Sequence, residues 1–128
     1  MKRLLLVEDQ QKDIQFAADT ARSLGIAEVE ARTSSSGARA YLEKALEGNA
    51  PLPDGIVLDL NLGYESGYEL LRYWHGTPRL ATIPVIVWSV LGDEQREMCK
   101  LFNVNSFVGK WDEAAFRDAL ASLDRSSS

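Results

Sequence analysis

Short unbroken apolar runs alternate along this chain with stretches whose apolar residues recur at helical spacing. Leu4-Leu5-Leu6-Val7, Ile56-Val57-Leu58 and Val85-Ile86-Val87-Trp88 contain no polar residue. That is the pattern of strands covered on both faces. Between them, Ile14, Ala17, Ala18, Ala21 and Leu24 form one helical stripe, and Ala38, Tyr41, Leu42, Ala45 and Leu46 form another. The alternation leaves few architectures. Buried strands separated by amphipathic helices favour right-handed crossovers, a parallel sheet and helices on both faces.

The remaining segments fill in that plan. Gly25 is positioned to end the first helix, and Gly48-Asn49 the second. Ala27, Val29, Ala31 and Thr33 alternate with Glu28, Glu30 and Arg32, as in a half-exposed edge strand. A helix is expected over about residues 67–74, a loop over 75–79, and a strand over 85–89 opened by Pro84. Residues 92–102 read as a helix ended by Asn103, and Phe107-Val108 as a short last strand. Phe116, Ala119, Leu120 and Leu123 mark a final helix over a polar tail from Asp124 to Ser128. These are five strand–helix units. With the half-polar second strand and the short fifth at the edges, the strand order is 2-1-3-4-5, a flavodoxin-like α/β sheet. Ligands of such sheets sit where the carboxyl ends of strands one and three diverge.

The charge-bearing residues fall at that point. Glu8 and Asp9 end the first apolar run, Asp59 ends the third strand, and Lys110 follows Phe107-Val108-Gly109. Packed carboxylates repel unless a proton or a cation joins them. A hard divalent cation such as magnesium takes one or two carboxylates plus phosphate oxygens. Asp9 and Asp59 are candidate direct ligands, Glu8 a ligand through water, and the main-chain carbonyl of Asn61 a neutral oxygen. Lys110 supplies a point charge for phosphate, and a carboxylate can serve as a nucleophile toward phosphorus.

The totals restrict function further. A length of 128 residues suggests one domain. A net charge of -5 disfavours nonspecific nucleic-acid binding. Cys99 is the one cysteine, which excludes an internal disulfide and fits a reducing compartment. No apolar run reaches membrane-spanning length, so a cytoplasmic location is expected, with neither membrane nor nucleic acid as partner.

With Val7-Glu8-Asp9, Asp59 with Gly67 eight residues on, Ile83-Pro84-Val85-Ile86-Val87-Trp88-Ser89 and Phe107-Val108-Gly109-Lys110 in this order, the chain resembles the receiver domain of two-component response regulators over essentially its whole length. The resemblance implies a receiver over residues 1–124, a tail over 125–128 and no output domain. It implies Asp59 as phosphoacceptor, and Glu8, Asp9, Asp59 and the Asn61 carbonyl as Mg2+ ligands. Lys110 matches the family lysine, Ser89 the switch hydroxyl and Phe107 the aromatic that rotates inward when the hydroxyl moves. The partner it implies is a sensor histidine kinase or phosphotransfer protein. Residues 75–84, with Asn103-Val104-Asn105-Ser106-Phe107, resemble the stand-alone receivers that work beside bacterial phytochrome kinases. Those relatives often form homodimers through the last two helices and the strand between them.

The chain departs from the family at three places. Trp111 replaces the usual proline after the lysine, where a trans bond is therefore expected. Gly63 stands where proline is frequent, and Val90 where a small residue follows the switch hydroxyl. Other readings stay open at this stage. Asp9 can cap the following helix, Ser89 can make structural bonds alone, and Phe107 is core in either case. Trp74, Trp88 and Trp111 read as packing residues, with Trp111 alternatively exposed on a partner face. His75 reads as solvated and Cys99 as a helix-face residue without chemistry. A haloacid-dehalogenase-type phosphatase needs a second aspartate where this chain has Asn61. A phosphorylation-independent adaptor with the same fold is the alternative function.

Overall fold

A computed structural model describes residues 1–63, 65–90 and 93–126, with the side chains of Asp93, Asp124, Arg125 and Ser126 excepted. The elements follow in order: β1 (Arg3–Val7), α1 (Gln11–Ser23), β2 (Glu28–Arg32), α2 (Ser35–Leu46) and β3 (Gly55–Leu58). A small hairpin of β4 (Asn61–Leu62) and β5 (Glu65–Ser66) comes next, then α3 (Gly67–Gly76) and α4 (Pro78–Ala81). The chain continues with β6 (Val85–Ser89), α5 (Asp93–Lys100), β7 (Ser106–Gly109) and α6 (Glu113–Ser126).

The main sheet is parallel throughout, in the order β2-β1-β3-β6-β7. Counting only its five strands, this is the expected 2-1-3-4-5. Alternate residues of each central strand feed opposite layers. Leu5, Val7, Ile56, Leu58, Val85 and Val87 pack with Leu42, Leu70, Leu71 and Trp74 of α2 and α3. Leu4, Leu6, Val57, Ile86 and Trp88 pack on the other side with Ala17 and Ala21 of α1 and Phe116 and Leu120 of α6. A fully buried Leu or Phe contributes roughly 1.5–3 kcal/mol. These two layers therefore hold the strand ends in place.

Local signals explain the element ends. The Ser34 hydroxyl accepts a hydrogen bond from Gly37 N–H at 3.0 Å and caps α2. Ser66 Oγ accepts from Tyr68 N–H at 3.1 Å and caps α3. Past α5, Asn103 takes the left-handed conformation, φ 55°, that its residue type tolerates.

Several expectations need correction. Residues 75–79 are not a loop: α3 runs through Gly76, and Pro78 opens α4 as a first-turn proline can. The polar residues expected as a tail continue α6 through Ser126, while Ser127 and Ser128 lie outside the described residues. The helix expected from Gly92 to Phe102 spans Asp93–Lys100, and Gly92 also lies outside the described residues. On β2 the alternation is not clean. Ala31 is exposed, while Arg32 is half-buried, its guanidinium 4.9 Å from the Tyr41 ring centre. Cys99 faces the core and is fully buried, which pushes its thiol up to about 11.

Candidate functional site

The strand ends of β1, β3 and β7 converge as expected. Asp59 N–H donates to the Val7 carbonyl at 3.0 Å, continuing the β1–β3 ladder one step past the strand. Lys110 N–H donates to the Ser89 carbonyl at 3.0 Å and does the same for β6 and β7. Backbone pairing thus brings the acids and the lysine together.

Glu8 is wholly buried. Its Oε2 accepts the N–H groups of Asp9 (2.8 Å) and Gln10 (3.1 Å), and its Oε1 pairs with Lys110 Nζ. Burial, with the Asp59 charge adding to it, raises the carboxyl to about 7 although Lys110 opposes the shift. Asp59 is almost as buried. Asn61 N–H donates to its Oδ1 at 3.0 Å, and Lys110 Nζ lies 3.0 Å from its Oδ2. Burial alone would lower the Lys110 ammonium. Its bonds to Asp13 and Glu8, with the Asp59 charge, outweigh burial and raise it. The ammonium also sits 5.0 Å from the Trp88 ring centre.

Carboxylate oxygens of Glu8, Asp9 and Asp59 lie within 4.8 Å of one another. Asp9 and Asp59 border a cavity of about 470 Å3 whose lining also includes Asp13, Asn61, Val90 and Lys110. Three acids this close, with one lysine among them, are a donor set suited to a divalent cation. Asp9 does not cap α1: the cap position is Gln10, and no side chain bonds there.

Gly67 packs against the backbone that follows β3. Its N–H donates to the Leu60 carbonyl at 2.9 Å, and a Cβ there would come 2.4 Å from the Asp59 carbonyl oxygen. The spacing that singled out Gly67 thus marks a close backbone approach.

Ser89 is buried at the end of β6, in register with Gly109. Phe107 is half-buried and packs against the core layer on the α2 and α3 side of the sheet. The Arg96 guanidinium lies 4.8 Å from its ring centre, and Arg96 Nη1 donates to the Phe107 carbonyl at 3.4 Å. Trp74 and Trp88 are buried, whereas Trp111 is 70% exposed, its ring laid along Gly109. No cis peptide occurs among the described residues, and the bond from Lys110 to Trp111 is trans. Val90 is exposed at the cavity rim, and His75 is exposed as expected.

Sequence reasoning missed Asp13, whose Oδ2 lies 2.9 Å from Lys110 Nζ. The available signal was its place four residues after Asp9, within the first turn of α1.

The chain is 31% identical over 112 residues to response regulator Rcp1 of Synechocystis sp. (strain ATCC 27184 / PCC 6803 / Kazusa), covering 85% of this chain and 76% of that one. It belongs to the response-regulator receiver family. No family model matches it. The phosphorylated cyanobacterial phytochrome response regulator RcpA superposes with a TM-score of 0.81 at 30% identity, over 97% of this receiver and 91% of that chain. The Mn2+-bound form of Rcp1 gives 0.80 at 26% identity, over 97% and 92%. The bacteriophytochrome response regulator AtBRR gives 0.78 at 27%, over 96% and 91%. RcpA and AtBRR are named as phytochrome response regulators, and the fold is the flavodoxin-like receiver fold. Its class is that of two-component signalling switches rather than conventional enzymes. Among the described residues no helix is long and apolar enough to cross a membrane.

Proposed function

We propose that this receiver accepts a phosphoryl group on Asp59 from a histidine kinase or phosphotransfer protein, with magnesium held beside it, and so switches a partner-binding surface. One observation carries the reading. The Asp59 carboxylate opens on a cavity, with Lys110 Nζ 3.0 Å from its Oδ2 and carboxylate oxygens of Glu8 and Asp9 within 4.8 Å. Phytochrome-type kinases are the donors that the names of RcpA and AtBRR suggest.

In this reading a carboxylate oxygen of Asp59 attacks phosphorus as the donor's bond to phosphorus breaks, and the donor keeps the electron pair. The Asn61 N–H holds Oδ1 and so orients the carboxylate. Glu8, Asp9, Asp59 and the Asn61 carbonyl would hold magnesium, which supplies charge neutralisation to phosphoryl oxygens. Lys110 contacts those oxygens as a fixed positive charge. Ser89 bonds the added group, and the Phe107 ring turns inward from beneath Arg96. The added charge biases two packings that already exist. Pairing of two copies through α5, β7 and α6 belongs to the same reading, and Met98 and Leu101 on that side are exposed.

Intact mass after incubation with acetyl phosphate and magnesium tests the proposal. The expected result is a magnesium-dependent gain of one phosphoryl group, absent in Asp59→Asn. No gain with magnesium bound would favour a phosphorylation-independent adaptor, for which the exposed Val90 and Trp111 are the supporting residues. The adaptor reading in turn requires that Asp59→Asn leave partner binding unchanged.

A further inference from the structure

An ammonium group has three N–H donors. Lys110 Nζ has three carboxylate partners: Glu8 Oε1, Asp13 Oδ2 at 2.9 Å and Asp59 Oδ2 at 3.0 Å. The three are not equivalent. Glu8 and Asp59 belong to the group of acids whose oxygens lie within 4.8 Å of one another, and Asp13 does not. A cation seated among those acids, or a phosphoryl group on Asp59, draws on oxygens that Lys110 now uses. The Asp13 oxygen is not among them.

The geometry also suits Asp13 to holding the lysine from the side. Asp13 stands in the first turn of α1, at the wall of the same cavity, with its side chain mostly buried. The first turn is anchored at Gln10, whose carbonyl accepts from Asp13 N–H at 3.1 Å and Ile14 N–H at 3.0 Å. The Lys110 ammonium also lies 5.0 Å from the Trp88 ring centre.

We infer that Asp13 is the positioning residue of Lys110. It keeps one N–H of the ammonium when Glu8 and Asp59 turn to a cation or a phosphoryl group, and so keeps the other two aimed at the cavity. The inference rests on the phosphoacceptor reading for its role in transfer, but not for its effect on cation binding. Without Asp13 the carboxylate partners of the ammonium among the described residues are Glu8 and Asp59, and it competes with a cation for the same oxygens.

The test is a double-mutant cycle read in two ways, with folding checked by circular dichroism. Wild type, Asp13→Asn, Lys110→Met and the double variant are compared, with Lys110→Gln as the background should Lys110→Met not fold. The first readout is Mn2+ affinity by titration calorimetry. Asp13→Asn is expected to weaken it several-fold in the presence of Lys110 and not at all in its absence. The second is the rate of Asp59 labelling by acetyl phosphate at saturating magnesium. Asp13→Asn is expected to slow it about tenfold, as a small misplacement of a charge-stabilising group does. The double variant should be no slower than Lys110→Met, and Asp13→Glu should recover part of the loss. Equal losses with and without Lys110 in the Mn2+ titration would mean that Asp13 acts on the cation by charge alone, and would overturn the inference. Wild-type Mn2+ affinity in Asp13→Asn would overturn it as well. Should the wild type take no label, the phosphoacceptor reading fails, and the Mn2+ cycle still decides the role of Asp13.

Discussion

At the scale of single residues, the site depends as much on a missing side chain as on charged ones. A Cβ at residue 67 would lie 2.4 Å from the Asp59 carbonyl oxygen and 2.7 Å from Leu60 Cα. Both neighbours are backbone, so neither can rotate aside. Gly67→Ala should therefore push α3 away from the turn that follows β3, costing about 1–3 kcal/mol as overpacking does. It should also loosen the Asn61 N–H bond to Asp59. Urea melts measure the first effect and Mn2+ affinity the second; a change under about 0.5 kcal/mol, within the range of ordinary surface substitutions, would mean that the turn yields freely. The spacing of Gly67 from Asp59 was visible in the sequence, as were Glu8, Asp9 and Lys110, because each ends or follows an apolar run. Asp13 was not. It sits on the polar side of a helical stripe, where an acid ordinarily faces water, and only the position of Lys110 in space reveals its partner. An aromatic in a short strand reads as core, and Phe107 does pack against it, but its other contact, Arg96 on α5, had no signal in the sequence.

Among the elements, the hairpin of β4 and β5 carries Asn61, and nothing periodic announced it. Two-residue strands have no pattern to read. Its hold on the rest of the molecule comes from hydrogen bonds instead. Ser35 Oγ donates to the Ser66 carbonyl at 2.7 Å, and Ser36 N–H donates to Glu65 Oε2 at 3.3 Å. The Ser66 hydroxyl caps α3. One serine thus joins α2, the hairpin and α3. Ser66→Ala should cost about 1 kcal/mol through the lost cap, while the Ser35 bond, made to the Ser66 main chain, survives. Thermal or urea denaturation checks the loss, and the companion Ser35→Ala separates the two bonds. A Ser66→Ala variant as stable as wild type would show that solvent satisfies the first turn of α3 equally well. Misread elements have equally local causes. Pro78 was taken as punctuation but serves at the start of α4, and the polar residues after Leu123 continue the helix through Ser126.

For the whole molecule, the sheet order was legible because both faces of β1, β3 and β6 are covered, which leaves residues 4–7, 56–58 and 85–88 as unbroken apolar runs. That covering also buries Glu8, the first residue past β1, and this gives the entire fold a pH dependence. Burial raises the Glu8 carboxyl to about 7, against an ordinary value of 4.5. Between those values the folded chain retains a proton that the unfolded chain has lost. Stability without a cation should therefore fall as pH rises through this window and level off above about 7. A divalent cation reverses the trend. It binds the charged carboxylate, so each cation displaces a proton below pH 7, and affinity should rise with pH by up to about tenfold per unit until the group is ionised. The rise in Tm produced by saturating magnesium should accordingly be larger at pH 8 than at pH 6. Glu8→Gln should flatten both the cation-free stability profile and the pH dependence of the magnesium effect. Calorimetric melts at the two pH values, with and without magnesium, measure all of these. An equal magnesium effect at pH 6 and pH 8 in the wild type would mean that Lys110 holds Glu8 ionised across the range, and that the cost of burying it falls on the ion pair rather than on a proton.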